Sequence, residues 1–187
     1  MSLRVGRALL LLNVLALLSA SAHAEAPGYS YVEGGYVNLD RASVGGDGWF
    51  FGGSFGTKNL LFRIEYDSFD LGTSGDQALV LLGAGWHGLL GEKADIVVDG
   101  GYARSEFDGT GLSSDDSGYY LRGGARWRIV DLFELDGFVE RFDLASSETF
   151  IRIDALLTFR AINIGLAYLA NDDDQFRTYI RWNFGQR

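Results

Sequence analysis

The chain lacks cysteine altogether and contains one proline and two histidines among its 187 residues. The absence of cysteine excludes a disulfide-stapled scaffold, a zinc–cysteine site, a cysteine nucleophile and a lipoprotein anchor. With so few histidines, histidine-rich metal chemistry is excluded as well. Basic residues are also scarce, since 16 Lys and Arg stand against 25 Asp and Glu. A chain this acidic has few basic residues with which to neutralise phosphates, so we expect no nucleic-acid partner. We also expect no cofactor.

The N-terminus has the three parts of a secretory signal. Two arginines precede the apolar stretch Ala8–Leu18, and Ala22-His23-Ala24 forms an A-x-A cleavage site. We therefore predict a cleaved Sec signal peptide over residues 1–24 and a single domain over residues 25–187. Loss of the two leader arginines takes the formal charge from −9 to −11. The alternative is a retained anchor, although the apolar stretch is shorter than the ~18 consecutive apolar residues of a membrane helix.

From Tyr29 onward, segments of about ten residues alternate in polarity and are separated by breaks rich in Gly, Asp, Ser and Asn. Period-two alternation is typical of β-strands that have two different faces. The predicted segments are 29–39, 48–56, 60–67, 76–87, 94–106, 119–128, 133–142, 148–159, 162–169 and 175–184. Segment 76–87 is apolar on both faces and by itself also fits a buried helix. Because 76–87 and 133–142 are the weakest segments, eight strands remain the alternative to ten.

The breaks between these segments form two alternating sets. One set is short, as in Thr57-Lys58-Asn59 and Arg160-Ala161, and the other is acidic and mostly longer, with Phe107–Ser117 as its longest member. Short turns at one end and longer polar loops at the other are typical of an up-and-down meander. The sequence therefore predicts an all-β protein, an antiparallel up-and-down β-barrel.

The aromatic residues of the apolar parity indicate which face of the barrel is outside. They gather near both ends of the segments, with aliphatic residues between them. The predicted girdles are Trp49, Tyr66, Tyr102, Tyr119, Tyr168 and Phe176 at the loop end, and Phe55, Trp86, Trp127, Phe159, Trp182 and Phe184 at the turn end. Such sorting is expected at the two interfaces of a membrane, so we predict a transmembrane barrel. The alternative is an exported soluble barrel that binds a small apolar ligand. In the first case Ile64, Leu121, Ile153 and Ile164 face lipid, and in the second they face the lumen.

The opposite parity then lines the lumen and carries nearly balanced charges. Its predicted network comprises Arg63, Glu65, Asp67, Asp99, Arg122, Arg126, Glu134, Asp136, Glu140, Arg152, Asp154, Arg177 and Arg181, with Arg128 and Glu33 on the same parity. A barrel of eight to ten strands holds side chains and little else. We therefore predict an ion-paired, filled interior in a non-enzymatic protein. A narrow, gated, charge-selective pore is the alternative.

A few other residues are candidate sites. Arg104 and Arg141 take the outward parity near the loop end, where an arginine fork suits a lipopolysaccharide phosphate, or else they are snorkelling rim charges. Asp172-Asp173-Asp174 and Asp115-Asp116 offer oxygen ligands for a cation but fit an acidic turn better. His87 lies at the turn end of its segment, and without a G-x-S-x-G motif we expect no catalysis there.

The opening Tyr31-Val32-Glu33-Gly34-Gly35-Tyr36-Val37, followed by Asp47-Gly48-Trp49, resembles the start of a family of small outer-membrane β-barrels described as surface antigens and, in some cases, quorum factors. The general pattern is similar to OmpA/OmpX-type barrels. The resemblance implies an outer-membrane address among lipid and lipopolysaccharide, and insertion by the barrel assembly machinery. Chains of this kind end on an aromatic residue, whereas here Phe184 is followed by Gly185-Gln186-Arg187. A monomer is expected, and the signalling role does not follow from these residues.

Overall fold

Ten antiparallel strands dominate the computed structural model, which describes residues 27–40, 45–109, 111–171 and 174–184. The predicted signal peptide therefore lies outside the described residues, as do Asp172 and Asp173 of the acidic run. The strands are β1 (Tyr31–Asp40), β2 (Gly45–Thr57), β3 (Leu60–Asp70), β4 (Asp76–Leu89), β5 (Ala94–Gly109), β6 (Leu112–Val130), β7 (Phe133–Asp143), β8 (Ser147–Phe159), β9 (Ile162–Ala170) and β10 (Asp174–Asn183). A 3₁₀ turn at Gly72–Ser74 joins β3 to β4. None of the helical segments within the described ranges has the length and apolar character needed to cross a membrane.

Each strand pairs with its sequence neighbours, and β1 pairs with β10, so the sheet closes on itself. The seam runs from Tyr31 opposite Asn183 to Asp40 opposite Asp174. Paired residues followed once around the wall lead from Ile96 back to Asp108 on the same strand, a stagger of twelve residues. A stagger of this kind tilts the strands by roughly 35–45° from the barrel axis.

The strand number settles the two weak segments. Segment 76–87 is β4 and segment 133–142 is β7, so ten strands are confirmed and the eight-strand alternative is wrong. The helical interpretation of 76–87 is also wrong, because β4 pairs along its whole length with both neighbours.

Tight connections gather at one end of the barrel, here called the turn end. The two-residue turns after β2 and β8 begin on Lys58 and Arg160, whose φ angles of 49° and 55° lie in the left-handed region. The Asn59 amide donates to the carbonyl oxygen of His87 at 3.0 Å and ties the first turn to the neighbouring strand. The opposite end, here called the loop end, carries the acidic connections.

The expectation of a long loop over Phe107–Ser117 is wrong. Strands β5 and β6 continue to pair from Arg104 opposite Ser117 as far as Gly109 opposite Leu112. Gly111 has a φ of 81°, which suits glycine at the tip of a hairpin. The segment is therefore a two-stranded hairpin that extends the wall beyond the loop-end girdle.

The apolar parity faces outward. Ile64, Leu121, Ile153 and Ile164 are 49–55 % exposed, and all four side chains lie on the outer surface. An inverted, soluble barrel would bury these residues, so that alternative is wrong. The twelve girdle aromatics also lie on the outside, and only Tyr168 is half-buried, because its ring packs against Phe176 with centroids 4.9 Å apart.

Candidate functional site in the barrel interior

The interior of the barrel is lined with charge. All thirteen residues of the predicted lumen network are buried inside the wall, and Glu33 and the half-buried Arg128 lie with them. Asp95, which is 2 % exposed, also lies in this interior and is absent from the predicted network. The alternation along β5 identifies Asp95 as inward-facing, because it shares a face with Val97 and Asp99.

Near the turn end, Glu134 is the centre of a cluster of arginines. Arg126 donates to Glu134 Oε1 from Nε and Nη2 at 3.2 and 2.5 Å, and Arg128 Nη2 donates to Oε2 at 3.0 Å. Asp136 Oδ2 lies 3.3 Å from Arg126 Nε. Arg181 approaches the same cluster while its Nε donates to Glu33 at 2.8 Å. Strands β1, β6, β7 and β10 are thereby tied together across the lumen.

A second layer lies at mid-height. Arg152 forms a two-pronged bond with Asp154, with distances of 2.8 and 2.9 Å, and the Tyr179 hydroxyl also donates to Asp154 at 2.8 Å. Arg122 Nε donates to Asp99 Oδ2 at 2.7 Å, and the Tyr120 hydroxyl donates to Oδ1 of the same carboxylate at 3.1 Å. Each carboxylate here accepts from an arginine and from a tyrosine, an arrangement that suits a buried charge.

The third layer is the top of the network. Arg177 on β10 donates to Glu65 and Asp67 on β3, each at 2.9 Å. Strands β1 and β2 separate β10 from β3 in the wall, so these bonds cross the lumen. Glu65 also pairs with Arg63, whose Nη1 lies 3.8 Å from Asp99 Oδ1 and so links this layer to the one below.

Aromatic rings inside the barrel support the guanidinium groups. Four arginine–ring pairs have distances of 4.2–4.9 Å between the guanidinium carbon and the ring centroid, close enough for cation–π attraction. The pairs are Arg122 with Phe138, Arg126 with Tyr29, Arg177 with Phe50, and Arg181 with Tyr31. No role is predicted for these rings from the sequence, although Tyr31, Phe50 and Phe138 have the inward parity.

The segment before β1 closes the turn end from inside. Pro27, Gly28 and Tyr29 are buried, and Arg126 Nη1 donates to the Gly28 carbonyl at 2.7 Å. The Tyr29 ring stacks on His87 with centroids 3.8 Å apart. His87 Nδ1 in turn lies 3.1 Å from Asp95 Oδ2. His87, the one histidine within the described residues, is therefore engaged by its neighbours at the turn end.

The loop end, in contrast, contains open space. A cavity of about 310 Å³, here called the vestibule, lies above the Arg177 layer. Its floor includes Glu65, Asp67 and Arg177, and its walls are largely aliphatic and aromatic. Towards the turn end, the lumen cavity between Tyr29 and Arg152 has only about 10 Å³, roughly the space of one water molecule.

The two rim arginines have different surroundings. Arg104 donates to Asp115 from Nε and Nη2 at 3.1 and 2.6 Å and also pairs with Glu106 at 2.7 Å. Arg141 is exposed and forms no ion pair with any residue in the described part of the chain. Asp115 and Asp116 lie on the β6 side of the extended hairpin.

Asp143, at the loop-end terminus of β7, accepts hydrogen bonds from two hydroxyl groups. Tyr119 OH donates to one carboxylate oxygen, and Ser147 Oγ donates to the other at 3.0 Å. These bonds, that of Tyr119 first, favour the charged carboxylate and lower the pKa of Asp143 from its usual value. These two water-exposed hydrogen bonds link β6 and β8 to β7.

A closed antiparallel wall, an apolar exterior with aromatic girdles and a charged interior define an integral β-barrel of the small bacterial outer-membrane type. Solved structures of such barrels are similar to this chain along most of its length. The NanC porin matches with a TM-score of 0.51 and 11% identity, over 83% of this chain and all of that chain (100%). The N-terminal barrel of Pseudomonas aeruginosa OprF matches with a TM-score of 0.45 and 14% identity, over 84% of this chain and all of that chain (100%). Ail of Yersinia pestis matches with a TM-score of 0.43 and 12% identity, over 83% of this chain and 99% of that chain.

No protein-family model matches the chain, and no curated protein matches it either. The similarity therefore concerns the fold alone. The residues that bear on the role of this barrel are those of its own interior and rim.

Proposed function

We propose that this protein is a closed, non-enzymatic outer-membrane barrel that serves surface interaction and envelope structure rather than free solute passage. The observation that carries the proposal is the packing beneath the vestibule. Contacts of charged side chains join non-neighbouring strands at three levels, through Arg181 near Glu134, Tyr179 with Asp154 and Arg177 with Glu65. The space remaining between Tyr29 and Arg152 is about 10 Å³. An ion that crosses this region has to separate guanidinium–carboxylate bonds in a low-dielectric interior, which is costly.

The balance of the interior charges supports the same proposal. A charge-selective pore presents one sign of charge along its path, whereas here arginines and carboxylates alternate and bind one another. At the turn end, Tyr29 is held between Arg126 and His87, so the path is closed by a ring as well as by charges.

Single-channel recording in planar bilayers tests this function. We expect the wild type to insert without resolvable conductance steps. An opened variant, Tyr29→Gly with Arg126→Ser and Glu134→Ser, removes the turn-end ring and one matched charge pair, and we expect it to conduct. Ile153→Leu on the lipid face is the control and should behave as the wild type. Heat-modifiable migration in gels verifies that every variant is folded. Conductance of the wild type with a preference for one ion sign would instead support the narrow pore.

We further propose that the loop-end rim meets lipopolysaccharide phosphates through Arg141. This guanidinium is exposed and makes no ion pair within the described residues beyond a longer-range attraction to Asp143, whereas Arg104 is already engaged by Asp115 and Glu106. Arg141→Ala should weaken retention of the refolded barrel on lipopolysaccharide-containing vesicles relative to phosphatidylcholine vesicles, whereas Arg104→Ala should change it less. The double variant Asp115→Ala with Glu106→Ala removes both carboxylate partners of Arg104 and should increase retention. Equal retention of all variants would leave both arginines as ordinary rim charges.

A further inference from the structure

We propose that the vestibule is a binding site for a small organic cation with an apolar body, of the arylalkylamine class. The vestibule has about 310 Å³, at the lower end of the ~300–1,000 Å³ typical of small-molecule pockets. Its position above the Arg177 layer makes it a blind pocket. The proposal does not depend on whether the lumen beneath it conducts.

The charge of the vestibule favours a cation. Its lining contains five carboxylates, and its single basic residue is Arg177. Arg177 is already committed, since it donates to both Glu65 and Asp67. Nearer the opening, Asp116 and Glu148 make no ion pair with any residue in the described ranges. An anion would meet a net negative lining, whereas an ammonium group is attracted to it.

Unpartnered acceptor atoms on the floor carry the inference further. Asp67 is 1 % exposed, and although its Oδ2 accepts from Arg177, its buried Oδ1 has no hydrogen-bond partner. Glu140 also lines the vestibule, and its Oε1 has no hydrogen-bond partner, with Arg122 and Arg152 no nearer than 3.9 Å. A buried acceptor without a partner is costly, and an ammonium group supplies up to three donors.

The walls favour an apolar body behind that ammonium group. Phe69, Phe107, Phe142 and Phe150 line the vestibule together with several leucines. Phe142 and Phe150 meet edge to face with centroids 5.7 Å apart. Such rings bury an apolar body and attract a cation through their faces. A bare metal ion would leave these walls unused, so the lining as a whole fits an amphipathic amine.

Calorimetric titration of the full barrel in lipid nanodiscs tests the proposal, with phenethylammonium as the probe. Phenylethanol and phenylacetate serve as neutral and anionic analogues, and empty nanodiscs supply the blank. We expect saturable binding of phenethylammonium, with the neutral analogue at least about tenfold weaker because it lacks a charged hydrogen bond. Absence of saturable binding, or equal binding of the three probes, would overturn the proposal.

Substitutions then locate the site. Asp67→Asn keeps the shape of the side chain and should weaken phenethylammonium about tenfold or more, whereas Asp115→Asn, on the rim but outside the vestibule lining, should not alter it. Gln77→Lys places a cation in the wall without altering the floor and should abolish binding. Heat-modifiable migration verifies folding of each variant. Unchanged affinity in both Asp67→Asn and Gln77→Lys would place the amine elsewhere and refute the site.

Discussion

Glu134 offers the sharpest test of the interior network. The residue is fully buried and accepts three hydrogen bonds, two from Arg126 and one from Arg128. Glu134→Ala removes the acceptor and leaves the guanidinium groups of Arg126 and Arg128 without this carboxylate partner. Breaking a buried ion pair by removing one partner costs about 3–5 kcal/mol. Because Asp136 stays 3.3 Å from Arg126 and compensates in part, we expect about 3 kcal/mol of lost unfolding free energy.

Urea unfolding in lipid vesicles, followed by tryptophan emission, measures this loss. All four tryptophans lie on the lipid face, so their emission reports departure of the wall from the membrane. Glu148→Ala is the control, since within the described residues this exposed carboxylate accepts only from Ser146, and its loss should cost less than about 0.5 kcal/mol. The double variant Arg126→Met with Glu134→Met should recover part of the stability. A loss below about 1 kcal/mol in Glu134→Ala would refute the reasoning.

Three further outcomes are expected. Gly165→Ala should destabilise the barrel by about 1–3 kcal/mol, because its Cβ would lie 2.2 Å from a buried tyrosine ring, whereas Gly137→Ala meets nothing within 4 Å and should be nearly neutral in the same urea assay. Tyr119→Phe removes the hydroxyl that lowers the pKa of Asp143. That stabilisation is present above the unfolded pKa of Asp143 and is lost as the pH falls through the folded pKa, so the difference in midpoint between wild type and Tyr119→Phe should shrink on acidification. Ile153→Arg, on the lipid face, should cost about 2–4 kcal/mol if the side chain lies near the membrane midplane, and vesicle folding yields measure it.

The alternation of polarity predicted most of the fold for a physical reason. Lipid outside and a charged lumen inside impose opposite demands on successive residues, so the period of two is strong wherever the wall spans the membrane. Strand β4 was ambiguous because Leu79 and Leu81 point inward near the loop end. Leu79 meets the apolar vestibule rather than the ion-pair network, so this strand is apolar on both faces.

Where the wall extends beyond the membrane, its outer face no longer contacts lipid and no longer needs apolar side chains. Residues Phe107–Ser117 read as a loop because no lipid selects apolar side chains there, yet the backbone continues to pair. The partners of each interior charge were also beyond sequence reasoning. Arg177 meets Asp67 only because the stagger of the wall brings β10 and β3 to the same level across the lumen. The inward position of Tyr29 likewise depends on contacts with distant strands.

The extended hairpin has a consequence for how this molecule meets other chains. Within the described residues, Leu112–Gly118 of β6 pair with β5 only, and pairing with β7 begins at Tyr119 opposite Asp143. Like the shorter Ser147–Phe150 of β8, this stretch of β6 has a strand partner on one side only within the described residues, and it presents a row of free backbone donors and acceptors to water. Such an edge is a template for an incoming strand. Asp116, which makes no ion pair within the described residues, places negative charge beside this edge and disfavours pairing with the same edge of a second copy.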